Sequence, residues 1–242
     1  DLAMIDILFQ QWEQIQNSSW LIIFSVVGFA VGIFMYRRSA GHALLHPLLI
    51  GTPLIAAIMY WLKIDFDTYY QANGILNWLL GPATVALAVP LSKHLKPLSR
   101  LLPTIMIAVT CGGLFAAICA VMLGLWLTPE PLIISSLAAK SVTTPIAMIL
   151  TDQLGGLYTL ITVIVLFTGI VGIVVAQRIF DITKLQDERW QGLILGVTSH
   201  AIGTVKAFEK SPRCGAFSTL GMGLNGIWTS FFLIPLMHVF VL

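Results

Sequence analysis

Two short runs of this sequence place polar groups inside apolar surroundings, and their residue types suit anion binding and proton movement. The first is Lys140-Ser141-Val142-Thr143-Thr144-Pro145, set in a stretch from Pro131 to Leu150 whose only charged residue is Lys140. A lysine at the centre of a membrane segment costs about 2.5 to 3.5 kcal/mol on insertion scales, so it is retained with a partner or a use. An anion is the natural partner, and hydroxyls together with free N–H groups of a half-helix would bond a carboxylate or phosphate. Pro145 has no N–H to donate and disfavours helix at Thr144, which opens the helix and frees backbone groups. The second run, Gly196-Val197-Thr198-Ser199-His200-Ala201-Ile202-Gly203-Thr204, surrounds His200 with small and hydroxylic residues. Histidine titrates near neutrality and can carry a proton through a transport cycle.

These features define a candidate substrate site. Lys140, Ser141, Thr143 and Thr144 would hold an anion, with Ser199, His200 and Thr204 facing them and His200 carrying a coupled proton. Asn225, within Gly221-Met222-Gly223-Leu224-Asn225-Gly226, and Thr84, beside Gly81 and Pro82, are further polar points. Gly81, Pro82, Pro145, Gly196 and Gly203 are the expected helix breaks. Structural alternatives stay open at each position. Lys140 could snorkel to the surface, His200 could be a neutral group bonded between helices, and Asn225 could serve interhelical packing.

The elements that must position these residues are helices in a bilayer. Hydrophobic residues make up 57% of the chain and charged residues 10%, far from the soluble mix. Eight apolar segments are legible by length: 20–36, 44–62, 75–91, 101–127, 131–150, 154–176, 192–208 and 216–242. The expected class is an all-α polytopic membrane protein with about six full transmembrane helices and two re-entrant or broken segments, 131–150 and 192–208. Residues 17–242 form one transmembrane domain. Residues 1–16 place Leu2, Ile5, Leu8, Phe9, Trp12 and Ile15 on one face, as in an interfacial amphipathic helix against membrane lipid. No secretory signal peptide is expected, because no basic region precedes an apolar run.

Cations favour the cytoplasmic side. Arg37, Arg38, Lys93, Lys96 and Arg100 then lie inside, and the N-terminus outside. If 131–150 and 192–208 both re-enter, Arg178, Lys184, Arg189, Lys206, Lys210 and Arg213 are inside as well, which is the preferred topology. A weak alignment of Leu80 to Ala88 with Leu195 to Gly203 pulls the other way. It indicates a duplicated unit whose matching segments should behave alike.

The net charge of +2, spread over several loops, gives no nucleic-acid footprint. Cys111, Cys119 and Cys214 form no CxxC pair, and no metal site or cofactor is expected. Gly28 and Gly32 form a GxxxG that could pack a helix or a dimer face. Neighbouring pairs such as Ser199 and His200 do not face each other on a helix, and HExxH and GxSxG are absent, so an enzyme is not expected.

Four ordered blocks, Gly81 to Leu91, Lys140 to Met148, Ser199 to Thr204 and Ala216 to Leu220, resemble the signature blocks of the LrgB/CidB family of antiholin-like membrane proteins. The resemblance runs from about Pro47 to the C-terminus. It implies a multi-pass protein of the bacterial cytoplasmic (inner) membrane that works beside a smaller LrgA/CidA-type membrane protein, and a homo-oligomer is expected. It also implies two functions: control of murein hydrolase export and lysis, or transport of small carboxylates such as pyruvate, glycolate or glycerate. A buried cation beside a titratable group favours the carboxylate transporter, since a holin-like pore needs neither.

Overall fold

Helices account for all the regular secondary structure in the computed structural model, which describes residues 12–13, 20–86, 89, 92, 95–128 and 130–240. The amphipathic segment expected over 1–16 lies outside the described residues, apart from Trp12 and Glu13. Two compact units are present, residues 1–86 and 87–242.

In the first unit, α1 (Ile22–Arg38) and α2 (Pro47–Leu62) pack through small residues. A Cβ added at Gly32 would lie 2.4 Å from the Pro47 carbonyl oxygen, and one at Gly51 would lie 2.9 Å from that of Gly28. The Gly28 and Gly32 pair therefore serves an internal helix contact. The loop expected after α2 contains a further helix, α3 (Phe66–Ala72), bent 119° from α2. Asp65 caps it, accepting from the Thr68 N–H at 3.3 Å and the Thr68 hydroxyl at 2.6 Å. Ser25 of α1 donates to Asn73 Oδ1 at 2.6 Å and pairs with the Tyr69 hydroxyl, tying this return to α1.

The breaks expected at Gly81 and Pro82 are corrected: α4 (Gly74–Ala86) runs through both. A proline removes one bond from the ladder, and a helix can absorb that as local adjustment without ending.

The second unit is built on three long helices, α5 (Leu95–Leu127), α8 (Tyr158–Thr183) and α10 (Pro212–Phe240). Among the described residues these are the helices long and apolar enough to cross a bilayer, with α2 and α3 together a possible fourth span. The expected number of about six exceeds this because α1 has 17 residues, α4 has 13, and α2 ends at the bend. Large apolar side chains such as Phe115, Phe167 and Phe231 are exposed along these helices, as befits surfaces solvated by lipid, and Trp126 sits near the end of α5.

Between the long helices lie two segments that fold back on themselves. The first comprises α6 (Pro131–Ala138) and α7 (Thr144–Gln153), joined by residues 139–143. The Leu157 N–H donates to Ser136 Oγ at 2.7 Å, across 21 residues. A straight helix of that length would hold them about 31 Å apart. The second is α9 (Glu188–Lys210), where His200 breaks the helical path with φ 41° and ψ −128°. Lys210 Nζ donates to Gln191 Oε1 and Ser211 Oγ donates to Glu188 Oε2 at 2.8 Å, so the ends of this helix also meet. At its corner a Cβ on Gly203 would lie 2.3 Å from the Leu195 oxygen, eight residues back.

Candidate functional site

The two hairpin tips are brought together by Asn225, on α10. Its amide Nδ2 donates to the Ser141 carbonyl at 2.8 Å and to the Val197 carbonyl at 3.4 Å. Ser141 lies in the linker of the first hairpin, and Val197 lies three residues before the corner of the second. A carbonyl oxygen can only accept, so the orientation of the amide follows from its partners. Its Oδ1 is left buried without a hydrogen-bond partner.

Lys140 occupies the first tip, half-buried, with Nζ 3.5 Å from Ser141 Oγ. It lies within electrostatic reach of His200 and of Cys119 on α5. Among the described residues no carboxylate stands within ion-pair distance of it. Thr143 precedes α7 as its N-cap residue but makes no side-chain capping bond, and Thr144 and Pro145 open the helix, with Pro145 exposed. An uncapped helix start beside a cation is an anion-competent arrangement, with unbonded N–H groups and the positive end of the helix dipole at one place.

His200 forms the second tip and is 1% exposed. Its Nε2 lies 3.1 Å from the Val165 carbonyl of α8. That oxygen only accepts, so a neutral ring carries its proton on Nε2. Nδ1 is then a free acceptor, and it is buried without a partner. The backbone here is in a region that only glycine enters without penalty, at a cost of about 1 to 3 kcal/mol, and such strain concentrates at functional sites.

The remaining predicted residues separate. Ser199 is fully buried behind the corner, with its Oγ 3.3 Å from the Thr198 hydroxyl and facing Gly172 of α8. Thr204, expected to face the ligand, is committed elsewhere: its hydroxyl donates to the His200 carbonyl at 2.9 Å and meets Ser218 Oγ at 2.9 Å. It fastens the corner to α10. Thr84 belongs to the first unit, and its side chain lies outside the described residues. Gly196 and Gly203 are corrected from breaks to contact positions, since the break is His200 itself. A Cβ on Gly196 would lie 2.0 Å from the Ser218 oxygen, a separation no ordinary side chain permits.

Sequence reasoning missed the backbone acceptors of Val165 and Val197, which carry no side-chain signal. It also missed Gly113 on α5, where a Cβ would lie 2.8 Å from Asn225 Oδ1. The adjacent glycines at 112 and 113, in the middle of an apolar span, were the available cue. No group of three or more His, Cys, Asp or Glu side chains suited to a metal ion occurs among the described residues.

The sequence profile of the LrgB-like family matches residues 25–239. The chain is 33% identical to the uncharacterized protein YwbG of Bacillus subtilis (strain 168) over 76% of its own length and 81% of that relative. It is 32% identical to an uncharacterized protein of Haemophilus influenzae, covering 78% of this chain and 83% of the other. The antiholin-like protein LrgB of Bacillus subtilis is 24% identical, over 86% of this chain and 90% of the relative. No solved structure matches.

Proposed function

The chain belongs to the LrgB-like family, and from the geometry of its hairpins we propose that it is a membrane carrier, or carrier subunit, for small carboxylates such as pyruvate, glycolate or glycerate. The observation that supports this reading is the amide of Asn225, bonded to both hairpin tips beside a buried histidine and a lysine that has no carboxylate partner among the described residues. Lys140, Ser141 and the start of α7 supply charge and donors for a carboxylate. Nδ1 of His200 is the acceptor on which a coupled proton would travel.

Folded-back segments meeting near the midplane are the architecture of secondary transporters. In this reading the hairpins enter from opposite faces of the cytoplasmic membrane. Arg178, Lys184, Arg189, Lys206, Lys210 and Arg213 then share the cytoplasmic side, while Glu130 and Asp152 lie on the other. Six crossings follow if α1, α2 and the pair α3 and α4 each traverse the bilayer. The offset that lays Gly81 on Gly196 also lays α5 nearly end to end on α10, which supports a duplicated unit. A small LrgA/CidA-type membrane protein is the proposed partner, with self-association into an oligomer.

A second reading rests on the relatives' names. Several are called antiholin-like, which favours a regulator of murein hydrolase export and lysis at least as strongly as it favours transport. Uptake of labelled pyruvate or glycolate into proteoliposomes separates the two. A carrier gives saturable uptake that collapses in Lys140→Met; unaltered uptake in that variant overturns the assignment of Lys140. Altered autolysis with no flux in the wild type supports the regulator.

A further inference from the structure

Both unpartnered buried atoms at the hairpin tips, Asn225 Oδ1 and His200 Nδ1, are hydrogen-bond acceptors. A bare carboxylate also offers only acceptors. It satisfies Lys140 and the N–H groups of α7, but it leaves Oδ1 with nothing. A buried acceptor without a donor costs about 1 to 3 kcal/mol, so a ligand that brings a donor is favoured at Oδ1 over one that offers acceptors alone.

Asn225 cannot relieve this by turning its amide over. The flip would direct Oδ1 at the carbonyls of Ser141 and Val197 and lose both of the bonds that join the tips. Trp228 and Gly113 pack on the Oδ1 side. A Cβ at position 113 would sit 2.8 Å from Oδ1 and 2.9 Å from Trp228 Cε3, so only a residue without a side chain lets α5 pass this close to the acceptor.

We propose that Asn225 Oδ1 accepts a hydrogen bond from the 2-hydroxyl of the bound carboxylate, making Asn225 the residue that sets preference for a 2-hydroxy acid over the 2-oxo acid of the same carbon skeleton. The inference rests on the carboxylate site proposed above. The carboxylate is held by Lys140, while the substituent on the next carbon is read by Asn225. A hydroxyl donates to Oδ1; an oxo group places a second acceptor against it. Sites built around a substrate hydroxyl reject analogues lacking it for this reason.

The test is thermal unfolding of the full-length purified protein titrated with lactate and, separately, with pyruvate. These acids share three carbons and a carboxylate and differ at carbon 2. The wild type is expected to bind lactate about tenfold more tightly, the worth of one hydrogen bond. In Asn225→Leu both acids weaken and the ratio falls to about one. Gly113→Ala, which keeps the Asn225 amide but sets a methyl where Oδ1 and the Trp228 ring must give way, lowers the ratio as well; it decides the matter if Asn225→Leu fails to fold. Equal binding of the two acids by the wild type, or a ratio kept in Gly113→Ala, overturns the role of Asn225 and leaves the carboxylate site standing. A wild type that neither acid stabilises overturns both.

Discussion

The hairpin of residues 131–157 reverses through a linker, 139–143, in which no residue has a positive φ, and one bond from the Leu157 N–H to Ser136 Oγ closes it. The hairpin of residues 188–211 reverses at a single residue, His200, in a strained conformation. Its base is clasped by Lys210 to Gln191 and Ser211 to Glu188, and Arg189 pairs with Asp187 at the entry to its first arm. The difference follows from where each holds its polar groups. The first spreads the turn over ordinary dihedrals and leaves its cation, hydroxyls and helix start available at the tip. The second uses its hydroxyls, Ser199 and Thr204, and its glycines to fix one imidazole against α8 and α10. One tip turns through ordinary dihedrals with its polar groups exposed or half-buried; the other mounts one buried imidazole on a strained corner, and in the proposed carrier these would hold the ligand and the coupled proton.

The largest effect that would sharpen this contrast comes from Gly196→Ala. The new Cβ meets the Ser218 backbone oxygen, which cannot swing away, so the helices must part. A loss above about 3 kcal/mol is expected in denaturant titration, whereas Gly156→Ala in the first hairpin should cost about 1 to 2. Equal losses would break the distinction between the two hairpins. Next, Ser136→Ala leaves the Leu157 N–H without its acceptor and should cost about 1 to 3 kcal/mol by the same measurement.

The position of this contrast was partly legible in the sequence. The apolar run around Lys140 and the proline after it mark a break because a charge and a missing donor are both expensive in lipid. His200 was visible for the same reason. The distribution of tasks among the hydroxyls was not, because Ser and Thr look alike whether they face a ligand or staple a corner. Thr204 was misassigned on that account. Nor did the sequence reveal α3, seven residues whose Tyr69, Tyr70 and charged Asp67 read as a loop. Glycines at 81, 196 and 203 read as breaks, yet the last two are places where backbones touch, a property of the partner helix that no local pattern encodes.

Smaller effects probe the corner and the base of the second hairpin. His200→Gly should be more stable than His200→Ala by about 1 kcal/mol, reversing the usual order within a helix, because only glycine accepts φ 41° freely. The reverse order in thermal unfolding would show that the corner is unstrained. At the base, Asp187 accepts from Arg189, whose guanidinium holds the carboxyl below its usual 3.8, at about 2. The pair's contribution is present above the ordinary value and is lost as pH falls through about 2. The pair is partly exposed, so the acid slope of stability should be slight and should disappear in Asp187→Asn.

The central claim is that the two folded-back segments enter from opposite faces and meet at Asn225. Single cysteines at Glu130, Gln153, Gln186 and Glu209, in a protein whose own Cys111, Cys119 and Cys214 are replaced by serine, report this directly through labelling with a membrane-impermeant thiol reagent in oriented vesicles. The expected result is that positions 130 and 153 label together from one face and 186 and 209 together from the other. Labelling of 130 and 153 from opposite faces would contradict the account.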